Sequence, residues 1–410
     1  MNTTIKRGLR VLITGATLQL FLGVVYIWGM FVLPVSETFN WYAGYARLTS
    51  SFMLGHFPLG MFLGGKLAIR MGATKTTLLG GTMMGAGVFL ASLTPLSMPW
   101  LIFITYGAFA GTGAGIAYIT VLAAVPRWFP RRRGIATGIC VGAFALSISI
   151  FAPIVQIMLY NFEVQTVFMM LAAVIFAATL VFAPHVRYPN KEEAEEISRE
   201  YTKFTETAKA GTIISTAHSV NFSTKEMIKQ KEFYVITFSL LLGTVAFMVV
   251  NPSAATLSLY RGLDVGFATY LVMIMGFSNA FGRFLVPAFS SKVRSEIIVL
   301  AIMVANTLAA IGLIFAEGTL FVLLVTIIPI SFGAILAVFP LIVGDYFGTA
   351  NVGANYGIVG AGFSVSALLM PGLIALLGGY TIQFMAVAFI SFAGILNILL
   401  LMKMGNKKKL

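Results

Sequence analysis

Apolar runs of about twenty residues recur along the whole chain, separated by short polar stretches. A run of that length with few charges crosses the hydrocarbon layer of a bilayer as one helix, so each is read as a membrane span. The pattern predicts spans at 11–33, 45–69, 76–94, 99–125, 134–159, 164–184, 232–258, 267–290, 296–316, 319–343, 354–377 and 381–402. The opening MNTTIKRGLR and the apolar run behind it imitate a secretory signal. That run, Val11 to Leu33, is too long for a signal core and has no small-residue cleavage site before Pro34, so it counts as the first span. Between Pro184 and Glu232 the pattern changes to charged, Ser/Thr-rich text, PNKEEAEEISREYTKFTETAKAG, which predicts a solvated linker, partly helical from Lys191 to Thr207. The linker divides twelve spans into six and six. The expected fold class is an all-α membrane protein of twelve transmembrane helices in two pseudo-symmetric six-helix bundles, at 1–184 and 232–410, joined by a cytoplasmic linker at 185–231. Such a duplicated arrangement is the hydropathy signature of a carrier that holds its substrate between the halves near the midplane.

Composition supports a membrane protein: 59% of the residues are hydrophobic, 10% are charged, and the mean hydropathy is +0.93. A formal charge of +13 would suit nucleic acid, but its placement argues otherwise. With both ends of the chain on the inner side, 24 of the 27 Lys and Arg residues fall at inner segments, two (Arg47 and Arg261) at outer ones, and Arg283 within a span. That bias is a topology signal that also favours anionic headgroups, including at the tail GNKKKL, and nucleic acid is not an expected partner. The expected setting is a prokaryotic plasma or inner membrane, multi-pass, with both termini cytoplasmic. The one cysteine, Cys140, excludes an intrachain disulfide. Neither a metal nor a cofactor is expected, and an enzyme is not: the three histidines, His56, His185 and His218, form no ligand pair with the acids. GTGAGIAY, Gly111 to Tyr118, lacks the strand of a nucleotide site. Instead Gly60/Gly64, Gly107/Gly111/Gly115, Gly134/Gly138/Gly142 and Gly353/Gly357 recur every four residues, which places small residues in rows suited to close helix packing.

Several stretches resemble one family. GGKLAIRMGATK, Gly64 to Lys75, carries Gly65, Leu67, Arg70 and Gly72 in a G-x-L-x-x-R-x-G pattern similar to the signature loop of the major facilitator superfamily. Ile69 replaces its usual aspartate. The counterpart FSSKVRSE, Phe289 to Glu296, keeps only Lys292 and Arg294, with Ser291 at the acidic place. Arg70 and Lys75 are read as inner-face gating or topology residues. RWFPRRRGIATGI (Arg127 to Ile139), YIWGMFVLPVSETFNW (Tyr26 to Trp41), GIAYI and NAFGRF resemble the oxalate/formate antiporter and monocarboxylate transporter branch. That resemblance implies alternating-access transport of small carboxylates, with Arg283 binding the carboxylate and Tyr26 and Tyr118 lining the cavity. Oxalate carriers have a second cation in span eleven, where NYGIVGAGFSVSA, Asn355 to Ala367, places Phe363. One buried cation balances one negative charge, so a monoanion such as lactate, pyruvate, formate or acetate is favoured over a dianion. A dicarboxylate exchanger and an exporter of amphipathic compounds are the alternatives; the latter would be expected to use a mid-depth acid, and this chain has none.

Proton-linked relatives carry an aspartate four residues before the arginine and a lysine in span one, where this chain has Asn279 and Met30. Proton symport and anion exchange therefore both stay open, with His56 as the candidate proton relay or the substrate entering with its own proton. For Arg283 the bland reading is snorkelling, since Ser290 at the inner boundary lies about 10 Å below it at the helical rise. Asn279, one turn away on the same face with Gly276 and Ala280, favours a polar stripe facing a cavity. The candidate substrate-binding set is Arg283, Asn279, Tyr118, Tyr26 and Phe363, with Trp28 as a further cavity wall and Asn355 and Tyr356 as weaker candidates. The expected carrier is a monomer in a bilayer with anionic headgroups.

Overall fold

A computed structural model describes residues 3–208, 221–289, 293–348 and 351–407. Lys209 of the linker, Ser290, Ser291 and Lys292 of the second signature loop, and Lys408 and Lys409 of the tail lie outside these residues. All twelve spans appear as helices within a few residues of the hydropathy reading. They are Thr3–Leu22 with the 3-10 stretch Gly23–Met30, Ala43–Met71, Ala73–Ser92, Ala110–Ala124 with the π-helical stretch Phe103–Phe109, Arg133–Asn161 and Val164–Phe182, then Lys231–Val250 with Ala254–Tyr260, Val265–Phe289, Ser295–Phe315, Gly318–Phe347, Val352–Val359 with Ala361–Ala375, and Tyr380–Lys407. Ten of them pass as membrane spans on length and composition alone. The linker contributes the helix Lys191–Ala208 and the single turn Thr224–Met227.

Spans one to six pack among themselves, as do spans seven to twelve, and the two sets meet along spans five and eight and along spans two and eleven. Side-chain size sets how closely they approach. A Cβ on Gly60 would lie 2.1 Å from the Thr112 carbonyl oxygen, and one on Gly115 2.1 Å from that of Phe57, so spans two and four touch backbone to backbone. Gly142 of span five faces the Phe284 ring of span eight. Gly357 departs from the packing expectation: nothing lies within 4 Å of where its Cβ would be, because its face of span eleven borders open space.

At the end away from the linker the halves are sealed. Ser149 Oγ donates to the Met273 carbonyl at 2.8 Å, Thr269 Oγ1 lies 3.3 Å from Gln156 Oε1, and Asn251 Nδ2 donates to the Tyr26 carbonyl at 3.4 Å. A Cβ on Gly276 would be 2.5 Å from Ser149 Oγ, so this seam leaves no room for a solute.

Candidate binding site between the halves

From mid-depth toward the linker end the seam opens into a cavity of about 550 Å³. Its walls include Phe57 and Met61 of span two, Tyr118 of span four, Gly138 of span five, Leu336 of span ten and Tyr356 of span eleven, with Tyr26 and Arg283 at its deep end. Arg283 is the only charged residue among the described lining residues.

Arg283 is 1% exposed, so its head neither reaches the lipid face nor snorkels to the boundary. Three neutral groups surround it. Nε donates to Asn279 Oδ1 at 3.2 Å, Nη1 to the Tyr118 hydroxyl at 3.4 Å and Nη2 to the Tyr26 hydroxyl at 3.3 Å. The two tyrosine contacts are longer than the usual N–H···O range, so they hold the guanidinium loosely. Among the described residues the ion pairs involve other arginines, and no carboxylate pairs with this one. A buried cation without a counter-ion is costly.

Aromatic rings fix the hydroxyls. Tyr26 stands edge-on to Phe144, Phe247 and Phe332 with centroids at 5.4, 5.8 and 6.1 Å, and Phe247 stacks on Phe332 at 3.8 Å. Tyr118 packs between Phe57 at 5.1 Å and Phe144 at 4.7 Å. Phe363 leans on Phe332 at 6.0 Å and lines the cavity. Asn279 is fully buried, off the cavity, between spans eight and ten: a Cβ on Gly333 would lie 2.1 Å from its carbonyl oxygen. Its side chain meets the site only through the bond to Arg283 Nε.

Arg283, Tyr118, Tyr26, Asn279 and Phe363 are thus brought together, and Tyr356 joins the walls. Asn355 lies off the lining, its amide bonded to Phe222 and Thr224, and two further expected residues are elsewhere. Trp28 is enclosed in the first bundle, where its indole N–H donates to the Ala46 carbonyl at 2.7 Å and its ring lies 4.5 Å from Tyr106. His56 lies outside the cavity lining: Nδ1 is 2.7 Å from the Phe52 carbonyl and its ring stacks on Phe52, which stacks on Phe103. Both departures follow from helical phase. Trp28 is two residues from Tyr26 and so points to another side, and His56 precedes the cavity-facing Phe57 by one. Phe144, Phe247 and Phe332 are not legible in the sequence, because an aromatic in an apolar run carries no local mark that separates a site wall from lipid-facing bulk.

The family model for the Major Facilitator Superfamily matches residues 13–342. The chain belongs to the major facilitator superfamily. Within it, the chain is 26% identical over 379 residues to the oxalate:formate antiporter of Oxalobacter formigenes, covering 90% of this chain and 85% of that protein. It is 24% identical over 350 residues to monocarboxylate transporter 12 of Xenopus laevis, covering 81% of this chain and 74% of that one. A solved structure, the partially occluded inward-open conformation of the xylose transporter XylE from E. coli, superposes with a TM-score of 0.71 at 14% identity, over 97% of this chain and 99% of that one. That likeness carries the twelve-helix fold alone. This superfamily member is therefore a multi-pass membrane protein built as a transporter.

Proposed function

We propose that the protein carries small monocarboxylate anions across the membrane by alternating access, with Arg283 as the anion anchor. The observation that carries this reading is a fully buried guanidinium at the deep end of a cavity, flanked by two hydroxyls and without a carboxylate partner among the described residues. An incoming carboxylate takes the planar fork of the guanidinium through two parallel N–H···O bonds and displaces the loose tyrosine contacts. The Tyr26 and Tyr118 hydroxyls then turn to donate to the same carboxylate, while Asn279 keeps Nε in place. Arginine stays charged at working pH, so the site binds the anion and not the neutral acid.

One positive charge sets the stoichiometry. A dianion here would bury a second negative charge among Phe363, Leu336 and Met61, with no cation to meet it. Coupling follows from the same arrangement. With no acid in the described lining to neutralise Arg283 when the substrate leaves, an empty carrier must reorient a bare buried cation, which favours anion-for-anion exchange. The preponderance of basic residues at the linker end supports a cytoplasmic position for that end. The halves 1–184 and 232–410 are taken as the units that rock, in a monomeric carrier.

Uptake into proteoliposomes preloaded with unlabelled anion tests this. Labelled lactate or formate is expected to enter by exchange, independently of a proton gradient, and oxalate is expected to compete poorly. Oxalate uptake exceeding that of every monocarboxylate would favour a dicarboxylate exchanger instead. Uptake that needs no internal anion and follows an inward proton gradient would return symport.

A further inference from the structure

Span eleven is not one continuous helix. It is a half-helix, Val352–Val359, followed by a break at Gly360 and a second helix, Ala361–Ala375. Val352, Tyr356, Gly357 and Gly360 line the cavity, the spacing of one helical face. Gly360 sits against Pro58 of span two, and the half-helix forms one wall of the open end.

A neighbouring face of this half-helix is held by the end of the linker. Asn355 is fully buried and both ends of its amide are used: Nδ2 donates to the Phe222 carbonyl at 3.1 Å, and Oδ1 accepts from Thr224 Oγ1 at 2.9 Å. Asn351, one turn earlier, donates to the same Phe222 carbonyl at 3.1 Å. Phe222 in turn donates its N–H to the Phe347 carbonyl at 2.9 Å, at the C-terminus of span ten, and its ring stands edge-on to Phe347 at 5.9 Å. The linker segment is itself braced. Ser223 and Glu226 form a reciprocal capping box on the turn Thr224–Met227, and Met227 is fully buried.

Linker residues 222–227 therefore join the ends of spans ten and eleven, the two helices of the second half that wall the cavity mouth. We propose that Asn355, with Asn351, is a positioning residue of this mouth: it fixes the rotation of Val352–Val359 through Phe222 and Thr224, and so sets how readily the carrier opens toward the linker end. The linker is then part of the gate, acting locally. This inference rests on the alternating-access reading but not on the identity of the substrate.

The test uses the full chain in detergent and in proteoliposomes, with Cys140→Ala and Thr137→Cys providing one reporter thiol on the span-five wall of the cavity. Asn355→Ala is expected to slow alkylation of that thiol by a water-soluble maleimide by about three- to tenfold, the weight of one or two net hydrogen bonds on a two-state equilibrium. Thr224→Val, which changes only the linker side, is expected to shift the rate in the same direction by a smaller factor. Asn355→Gln should recover part of the original rate. In uptake, Asn355→Ala should lower kcat with KM nearly unchanged. Unaltered alkylation in both Asn355→Ala and Thr224→Val would overturn the proposal. So would an Asn355→Ala effect on melting temperature alone, with Thr224→Val silent. The alkylation rate needs no substrate, so a wrong assignment of the transported anion leaves this readout intact.

Discussion

Two buried charges in this molecule are treated in opposite ways. Glu193, at the start of the linker helix, is 3% exposed and fully matched. Arg187 grips its carboxylate through both oxygens at 2.7 and 2.8 Å, Arg7 adds a third bond at 3.0 Å, and the Asn190 N–H a fourth at 2.9 Å. Arg187 also lies over the Trp128 ring, and the Trp128 indole donates to the Arg187 carbonyl at 2.9 Å. Arg283, in the interior between the halves and 1% exposed, has only an amide and two phenols. The contrast separates a charge used for architecture from one left incomplete. Where folding alone is served the chain supplies the opposite charge; where it supplies none, the partner is read as coming from solution.

Removing each charge should therefore have opposite consequences. Arg283→Gln is expected to lower carboxylate transport at least about a hundredfold, because a bidentate charge-assisted contact is lost. Its melting temperature in detergent should hold or rise, since an unmatched buried cation disappears with it. Transport retained in that variant would erase the contrast. Glu193→Gln should do the reverse, leaving uptake within about twofold while exposing the linker helix to protease about tenfold more readily, as one or two net hydrogen bonds to a charged group are lost. Limited proteolysis against uptake distinguishes the two.

Finer tests sharpen the same comparison. Tyr26→Phe and Tyr118→Phe should each raise KM about three- to tenfold, the value of one hydrogen bond, with the fold unaffected. The hydrogen bonds from Arg187 hold the Glu193 carboxyl at about 2, against an ordinary value of 4.5. A carboxyl whose docked value lies below its free value adds its stability above the free value and loses it as the pH falls. Docking of the linker helix should therefore weaken progressively from pH 4.5 toward pH 2, measurable as hydrogen exchange in residues 191–200. The smallest effect belongs to His56→Ala, expected to change uptake by less than about twofold because its ring lies outside the cavity lining.

The sequence was informative where a property is local. Span positions follow from run length, and the proximity of Arg283 and Asn279 from one helical turn, so both are legible in the sequence. The glycine rows of spans two and four also read correctly, since a missing side chain permits close approach in any context. Gly357 did not, because the same residue at a cavity wall has no neighbour to approach. The enclosure of the Tyr26 ring by Phe144, Phe247 and Phe332 depends on the relative rotation of spans one, five, seven and ten, which no single run encodes. The matching of Glu193 by Arg7 joins residues 186 positions apart. The charged linker text announced solvation and concealed that partnership.

One feature of the guanidinium's surroundings bears on how cargo is let go. Span eight is keyed into span ten by facing glycines: a Cβ on Gly282 would strike the Ile330 carbonyl at 2.0 Å, and one on Gly333 that of Asn279 at 2.1 Å. Arg283 and Asn279 must therefore travel together with the second half, while Tyr26 and Tyr118 ride on the first. If the halves rock as proposed, the spacing between phenols and cation would change with that motion, although both contacts are kept here with the linker end open. The strength of any grip shared by the two would then belong to the seam rather than to either half.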